Sequence, residues 1–304
     1  MQNDWTASLG LRVPVVNAPM GGAAGGRLAA AVSAAGGLGM IGMGSSGTAE
    51  ALQRELALVP AGVRVGIGMV DWVARRNPEM FDVAIEARPV LLSVSFGTDF
   101  DWVSRARAEG ISTVTQVADA AEARTAHDAG VDVIVARGLE GGGHGRPRES
   151  RDRLLAEVLA VTDSPVLAAG AISSADDVRR VLAEGAAAVW VGTAFLLTAE
   201  ALTTPGARQA LLAATGSDTV LTRVFDRALG YSWPADIPER VLANRFTKRW
   251  DDPRRTFDDE LAGAELRAAI ARDDPAEQSV NAGVGVGLVR DGLSAAEVVA
   301  MLAP

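Results

Sequence analysis

The chain has 304 residues, of which 48% are hydrophobic and 22% charged, and its net charge at pH 7 is −9. This composition is typical of a folded globular protein with a large buried core, and the acidic balance disfavours nucleic acid as a partner, because such binding depends on neutralising phosphates with Lys and Arg. Since the sequence contains no cysteine, disulfides, thiolate-bound iron–sulfur clusters and cysteine nucleophiles are excluded.

The N-terminus, Met1-Gln2-Asn3-Asp4-Trp5, lacks the basic flank and apolar core of a signal peptide. No apolar run approaches the roughly 20 residues that cross a bilayer. We therefore expect a cytoplasmic protein that contacts neither a membrane nor nucleic acid and acts on a small molecule.

Eight short apolar runs recur along the first two thirds of the chain. Their apolar character is continuous rather than alternating, which is typical of parallel strands covered on both faces. The runs span residues 13–20, 38–43, 64–70, 89–96, 112–117, 132–138, 165–172 and 187–196.

Alanine-rich segments with helical spacing lie between these runs, and several of them end at glycine. They span residues 27–35, 48–58, 118–128, 152–161 and 174–184. Because most runs start 20 to 26 residues apart, the pattern favours an α/β fold of the closed (β/α)8 TIM barrel type over an open doubly wound sheet.

The interval between the sixth and seventh runs is the exception. It measures 33 residues, and its extra length includes Gly-Leu-Glu-Gly-Gly-Gly-His-Gly at 138–145. Glycines let backbone N–H groups approach a ligand, and a histidine can carry protons near neutral pH. We interpret this loop as part of an active site with His144 as its base, the alternative being a solvated histidine.

Other polar residues carry weaker signals. His127 lies near the end of a predicted helix, where an imidazole interacts favourably with the helix dipole. Glu140 has three open roles: orienting His144, binding a ribose hydroxyl, or being solvated. The pairs Asp176-Asp177 and Asp258-Asp259 are typical of helix N-termini or solvated faces, and no metal-ligand spacing appears.

Glycines also end the last two predicted strands, as Ala168-Ala169-Gly170-Ala171 and Val191-Gly192-Thr193. In barrels the loops after strands seven and eight commonly form a phosphate site from backbone N–H groups. Thr193 adds a hydroxyl donor. Either glycine alone is equally compatible with a tight turn, but together they indicate a phosphorylated cofactor or substrate.

The chain changes character after residue 214, and Trp, Tyr, Pro and charges concentrate in residues 225–255. We predict a barrel at 1–214, whose last helix lies around 204–214, and a C-terminal extension or lid at 215–304. Trp233, Phe246 and Trp250 are candidates for a pocket wall, with core packing as the alternative.

The end of the chain contains a glycine-spaced stretch at 280–287, followed by a predicted helix at 294–302. We predict that residues from about 279 to 304 return to the barrel mouth. The alternative is that the glycines form a turn between helices.

Five motifs carry a resemblance to a known family. They are Asn-Ala-Pro-Met at 17–20, Ala-Val-Ser-Ala-Ala-Gly-Gly-Leu-Gly at 31–39, the glycine loop at 138–145, Ala-Ala-Gly-Ala-Ile at 168–172 and Val-Gly-Thr at 191–193. In this order they resemble the motifs of nitronate monooxygenases, also called 2-nitropropane dioxygenases. The related FMN-dependent enoyl-ACP reductases share them, so the resemblance bears on fold and cofactor more than on substrate.

The resemblance implies that FMN binds at the barrel mouth, with the backbone at 18–20 against the flavin ring and the FMN phosphate held by strands seven and eight. Two positions depart from the family: Asn17 stands where many relatives have Gln or Gly, and Gly68 replaces an Asn that contacts flavin, with Gln116 as a substitute. The candidate cofactor-binding residues are Asn17, Ala18, Pro19, Met20, Gly21, Gln116, Gly138, Gly142, Gly143, Ala169, Gly170, Gly192 and Thr193.

The resemblance also implies an activity, the oxidation of alkyl nitronates with O2. His144 would remove the proton next to a nitro group or hydrogen-bond the nitronate oxygens, while FMN accepts an electron and is reoxidised by O2. Three alternatives stay open: an NAD(P)H-dependent enoyl-ACP reductase, a flavin-binding protein without turnover, and an unrelated barrel with a phosphorylated ligand. We expect a small-molecule substrate, no metal, and a chain that is compatible with a homo-oligomer.

Overall fold

The computed structural model describes residues 4–304. Eight parallel strands form one sheet, and three shorter strands form another. In chain order the strands are β1 Val15–Asn17, β2 Met40–Met43, β3 Gly66–Val70, β4 Leu91–Ser95, β5 Ser112–Val117, β6 Val133–Arg137, β7 Gly143–His144, β8 Val166–Ala169, β9 Ala188–Val191, β10 Thr219–Thr222 and β11 Glu239–Leu242.

The helices alternate with the parallel strands over the first half of the chain. They are α1 Asp4–Ser8, α2 Gly26–Ala35, α3 Ala49–Leu56, α4 Asp71–Arg76, α5 Pro78–Glu86, α6 Asp101–Ala108, α7 Ala120–Asp128, α8 Arg151–Leu159, α9 Ala175–Ala183, α10 Pro205–Ala213, α11 Val224–Leu229, α12 Arg245–Trp250, α13 Asp259–Ala271 and α14 Ala295–Leu302. Short 3-10 helices span Thr193–Phe195, Gly216–Asp218 and Val284–Leu288.

The larger sheet is a (β/α)8 barrel. Its strand order is β1-β9-β8-β6-β5-β4-β3-β2, and a parallel bridge between Val16 and Leu38 joins its two ends. Every predicted apolar run contains one of these strands, so the predicted fold class is confirmed. Since β7 belongs to the other sheet, the seventh and eighth barrel strands are β8 and β9.

Asn17 strengthens the junction between β1 and β2. Its Nδ2 donates to the carbonyls of Met40 and Ala18, each at 3.0 Å, and its Oδ1 accepts from the Met40 N–H at 2.9 Å. The side chain is fully buried and adds to the two backbone hydrogen bonds at this bridge, from the Leu38 N–H to the Val15 carbonyl and from the Asn17 N–H to the Leu38 carbonyl. It thereby provides partners for backbone groups that would be costly to bury alone.

The outer layer of the barrel uses helices from both ends of the chain. The C-terminal helix α14 packs against α2 and α9, and its Val298, Val299 and Leu302 are buried in the same cluster as Leu28. The helix expected around 204–214 is α10. The division of the chain into two domains at residue 214 stays a prediction.

The second sheet, in the order β10-β11-β7, is antiparallel and joins the glycine loop to the C-terminal region. Behind it, α11, α12 and α13 form a small core of their own, which includes Phe225, Phe246, Trp250 and Leu266. We call residues 219–250 the lid. Within residues 4–304 the helices are all too short or too polar to cross a membrane.

Candidate active site

A cavity of about 450 Å³ opens at the carboxyl ends of the barrel strands, a size within the range of small-molecule and cofactor sites. It brings together twelve of the residues predicted from the sequence. These are Ala18, Pro19, Met20, Gly21, Gln116, Gly142, Gly143, His144, Ala169, Gly170, Gly192 and Thr193.

Two of the candidate residues do not line the cavity. Asn17 is buried in the junction between β1 and β2, where its amide is fully engaged. Gly138 packs against Glu140 and the backbone of Arg151 at the start of α8. The structure thus assigns both residues to the support of the barrel and its loop.

The segment Ala18-Pro19-Met20 lies across the ends of β2 and β3 and forms one wall of the cavity. A Cβ atom at Gly68 on β3 would overlap the ring of Pro19. In this chain, a larger residue at Gly68 would therefore displace the wall. Gln116 on β5 does line the cavity.

The loops after β8 and β9 form a further part of the cavity wall, and the loop after β9 adjoins residues 18–20. Gly170 has φ +118°, a conformation that favours glycine. The hydroxyl oxygen of Thr193 accepts a hydrogen bond from the Gly283 N–H at 3.0 Å. Gly283 and Gly285, from the glycine-spaced stretch near the C-terminus, line the same part of the cavity.

A buried arginine holds the glycine loop in place. The Arg137 guanidinium donates to the carbonyls of Gly141, Gly142 and Gly143 at 2.9, 3.0 and 3.0 Å. Burial and the positive charge of Arg240 lower the pKa of Arg137 to about 10, so it stays protonated at neutral pH. The sequence reasoning missed this residue, although an arginine ending the apolar strand β6 was a visible signal.

The Glu140 carboxylate has a hydrogen-bond partner within the protein. Its carboxylate accepts a hydrogen bond from the Arg151 backbone N–H at 3.0 Å, at the first residue of α8. The Arg151 guanidinium in turn donates to the carbonyls of Gly170 and Ala171 at 2.9 and 3.2 Å. Glu140 therefore fixes the loop to α8 and, through Arg151, to the loop after β8.

His144 faces the cavity from β7, and its ring is held on two sides. Its Nε2 lies 2.9 and 3.1 Å from the two carboxylate oxygens of Asp226, whose side chain is only 4% exposed. The imidazole stacks on the Trp233 indole at 3.6 Å between centroids and 5° between planes. His127, by contrast, lies outside the cavity and contacts Ser164 and Thr162.

The Asp226 carboxylate sets the ring orientation of His144. A carboxylate accepts hydrogen bonds but does not donate them, so the neutral imidazole presents Nε2–H to Asp226. Nδ1 is then the ring nitrogen available to a ligand in the cavity. This geometry suits a base that removes a proton from a bound carbon acid.

Glu239 on β11 is a second buried carboxyl group beside His144, and the two residues pair in register. Burial and the nearby Asp226 raise the pKa of Glu239 to about 8, although hydrogen bonds from Ser279 and Asn281 oppose the shift. The Ser279 hydroxyl lies 3.2 Å from Oε2. Sequence reasoning missed Asp226 and Glu239, since both stand among the other charges of the lid.

The lid covers the cavity beside His144. The indole N–H of Trp233 donates to Ser45 Oγ at 2.9 Å, after β2, and the Trp233 ring meets Phe96 edge to face at 5.1 Å. Trp233 therefore lines the cavity, as considered from the sequence, whereas Phe246 and Trp250 pack in the core of the lid.

Comparisons with known proteins agree on one family. The family model for nitronate monooxygenases matches residues 63–304. The nitronate monooxygenase of Paraburkholderia phytofirmans is 30% identical, over 97% of this chain and 92% of the relative.

Two solved structures are similar over nearly their whole length. FabK from Thermotoga maritima has a TM-score of 0.85 at 26% identity, covering 99% of this chain and 95% of that one. A nitroalkane oxidase from Streptomyces ansochromogenes has a TM-score of 0.82 at 27% identity, covering 98% and 96%. The resemblance inferred from the motifs is confirmed.

Proposed function

The chain belongs to the flavin-dependent nitronate monooxygenase family, and we propose that it binds FMN in this cavity and oxidises alkyl nitronates with O2. The observation that carries the proposal is the position of His144, which faces the cavity with Nε2 held by Asp226. A nitroalkane becomes a nitronate when it loses the proton next to its nitro group, so a base at this point would form the nitronate in the cavity.

The residues present fit FMN. The backbone at 18–20 lies against the ends of β2 and β3 and lines the cavity, where it would contact the flavin ring. The backbone around Gly170 and Gly192 and the hydroxyl of Thr193 would hold the phosphate. When bound, FMN would serve as the electron acceptor, and O2 would reoxidise it.

The protein's own residues bind, orient and shield the substrate. His144 holds or removes the proton at the carbon next to the nitro group through Nδ1, and Asp226 keeps the ring in that orientation. Trp233 and Phe96 exclude water from the same side of the cavity. The guanidinium of Arg137 keeps the glycine loop, and with it His144, in position.

The test is the His144→Ala variant, with His127→Ala as the matched control. We expect His144→Ala to lose at least a hundredfold in kcat/KM for a nitroalkane while keeping its bound flavin, since removing a general base costs 10²–10⁴-fold. His127→Ala should behave as the wild type. Unchanged turnover in His144→Ala, or a colourless protein that FMN does not reconstitute, would refute the proposal.

A second candidate is an NAD(P)H-dependent enoyl reductase, favoured by the similarity to FabK. Anaerobic mixing with NADH separates the two. Rapid bleaching of the flavin by NADH, followed by reoxidation with an enoyl thioester, supports the reductase. Slow bleaching together with fast nitronate turnover supports the monooxygenase.

A further inference from the structure

Two buried carboxyl groups lie together beside His144. Asp226 and Glu239 are each about 3% exposed, and the side-chain ligand atoms of these three residues lie within 4.8 Å of one another. Over residues 4–304, His144 is the only basic side chain that forms an ion pair with Asp226, and Glu239 forms none. The cluster therefore contains two acids and no permanent cation.

Further polar groups face this cluster from the segment after α11 and from residues 279–281. Tyr231 follows α11, and burial together with Asp226 and Glu239 raises its pKa, so it stays neutral at physiological pH. Ser279 and Asn281, on the segment before the last 3-10 helix, hydrogen-bond Glu239 and line the cavity. Because none of these groups supplies a positive charge, two ionised carboxylates would repel each other at low dielectric.

We propose that Glu239 carries a proton while Asp226 is a carboxylate. We further propose that this pair keeps His144 as the Nε2–H tautomer. Both acids are positioning residues that act through His144. When His144 takes a proton from a substrate carbon at Nδ1, the imidazolium keeps its Nε2–H toward the Asp226 carboxylate, and no other proton moves. The inference rests on the proposed role of His144 as the base.

The proton on Glu239 has a direct effect on His144. If Glu239 ionises, a second negative charge appears near the His144 ring and changes its electrostatic environment. A signal from the His144 ring therefore detects the ionisation of a carboxyl group that lies next to it.

The sequence makes this measurable, because it contains only two histidines. We would label the flavin-loaded enzyme with ¹⁵N-histidine and follow both rings by NMR between pH 5 and 10, with His127→Gln to assign the signals. We expect His144 to be the Nε2–H tautomer and to show a second inflection near pH 8, which His127 lacks. Absence of that inflection in the wild type, or an Nδ1–H tautomer, would overturn the proposal.

Two isosteric variants identify the acids. In Glu239→Gln the inflection near pH 8 should disappear, since glutamine has no proton to lose. In Asp226→Asn the tautomer should become mixed, and kcat should fall at least tenfold with a smaller change in KM. An inflection that persists in Glu239→Gln refutes the role of Glu239.

Failure of this inference and failure of the proposed function give different results. If the NMR titration behaves as expected but His144→Ala still turns over a nitroalkane at the wild-type rate, the proton arrangement stands and the base assignment falls. If His144→Ala is inactive but the His144 ring shows no inflection near pH 8 in the wild type, the proposed function stands and the proposed proton on Glu239 is wrong. If Glu239→Gln does not fold, the wild-type titration alone decides.

Discussion

The buried Glu239 links the stability of the fold to pH, and the Glu239→Gln variant measures that link. The pKa of this carboxyl rises from 4.5 to about 8 because it is buried beside Asp226. Between these two values the folded protein keeps a proton that the unfolded chain releases. The contribution of Glu239 to folding stability should therefore be most favourable below pH 4.5 and should be lost as pH rises to about 8.

The size of the effect follows from the same two pKa values. Each unit of difference corresponds to about 1.4 kcal/mol, so the upper bound is roughly 4–5 kcal/mol at pH 8.5. For a chain of this length, one kcal/mol moves Tm by roughly 1.5 °C. Glutamine has no proton to lose, so Glu239→Gln should match the wild type at pH 5 and exceed its Tm by up to roughly 7 °C at pH 8.5.

Scanning calorimetry of flavin-loaded wild type and variant at both pH values provides the measurement. Asp236→Asn is the control: this lid carboxylate is more than half exposed, and the hydrogen bond from Arg146 lowers its pKa. Its contribution is lost only in acid, so its Tm difference from the wild type should be constant between pH 5 and 8.5. A Tm difference for Glu239→Gln that is equally constant would refute the reasoning.

Two further predictions separate the residues that support the barrel from those that bind the cofactor. Asn17→Ala leaves the Met40 N–H and C=O without partners, so it should cost about 2–4 kcal/mol of stability. We expect a lower Tm in calorimetry and an unchanged affinity for flavin. Weaker flavin binding at an unchanged Tm would instead indicate that Asn17 belongs to the cofactor site. Gly68→Asn places a side chain against the Pro19 ring, so the flavin dissociation constant should rise at least tenfold in a fluorescence titration. Equal or tighter flavin binding would contradict the packing argument.

The glycine loop at 138–145 shows which features of the site could be predicted from the sequence and which could not. Its position after a buried strand indicated a catalytic loop, and His144 does face the cavity. The hydrogen-bond partner of Glu140 could not be predicted from the sequence, because a carboxylate four residues before a histidine is compatible with several partners. Its partner is the backbone N–H of Arg151, a group that every residue except proline carries and that no sequence pattern marks.

The sequence by itself determined the barrel and twelve of the residues that line its cavity, because both follow from local rules. Continuous apolar runs make buried parallel strands, and the residues that end those strands share one rim. The tertiary structure alone decided the electrostatics around His144. Asp226 and Glu239 lie 82 and 95 positions after His144 in the chain, and only the pairing of β7 with β11 and the packing of α11 bring them beside it. The carboxyl groups of Asp226 and Glu239 interact strongly with each other and with His144 because the fold removes them from water.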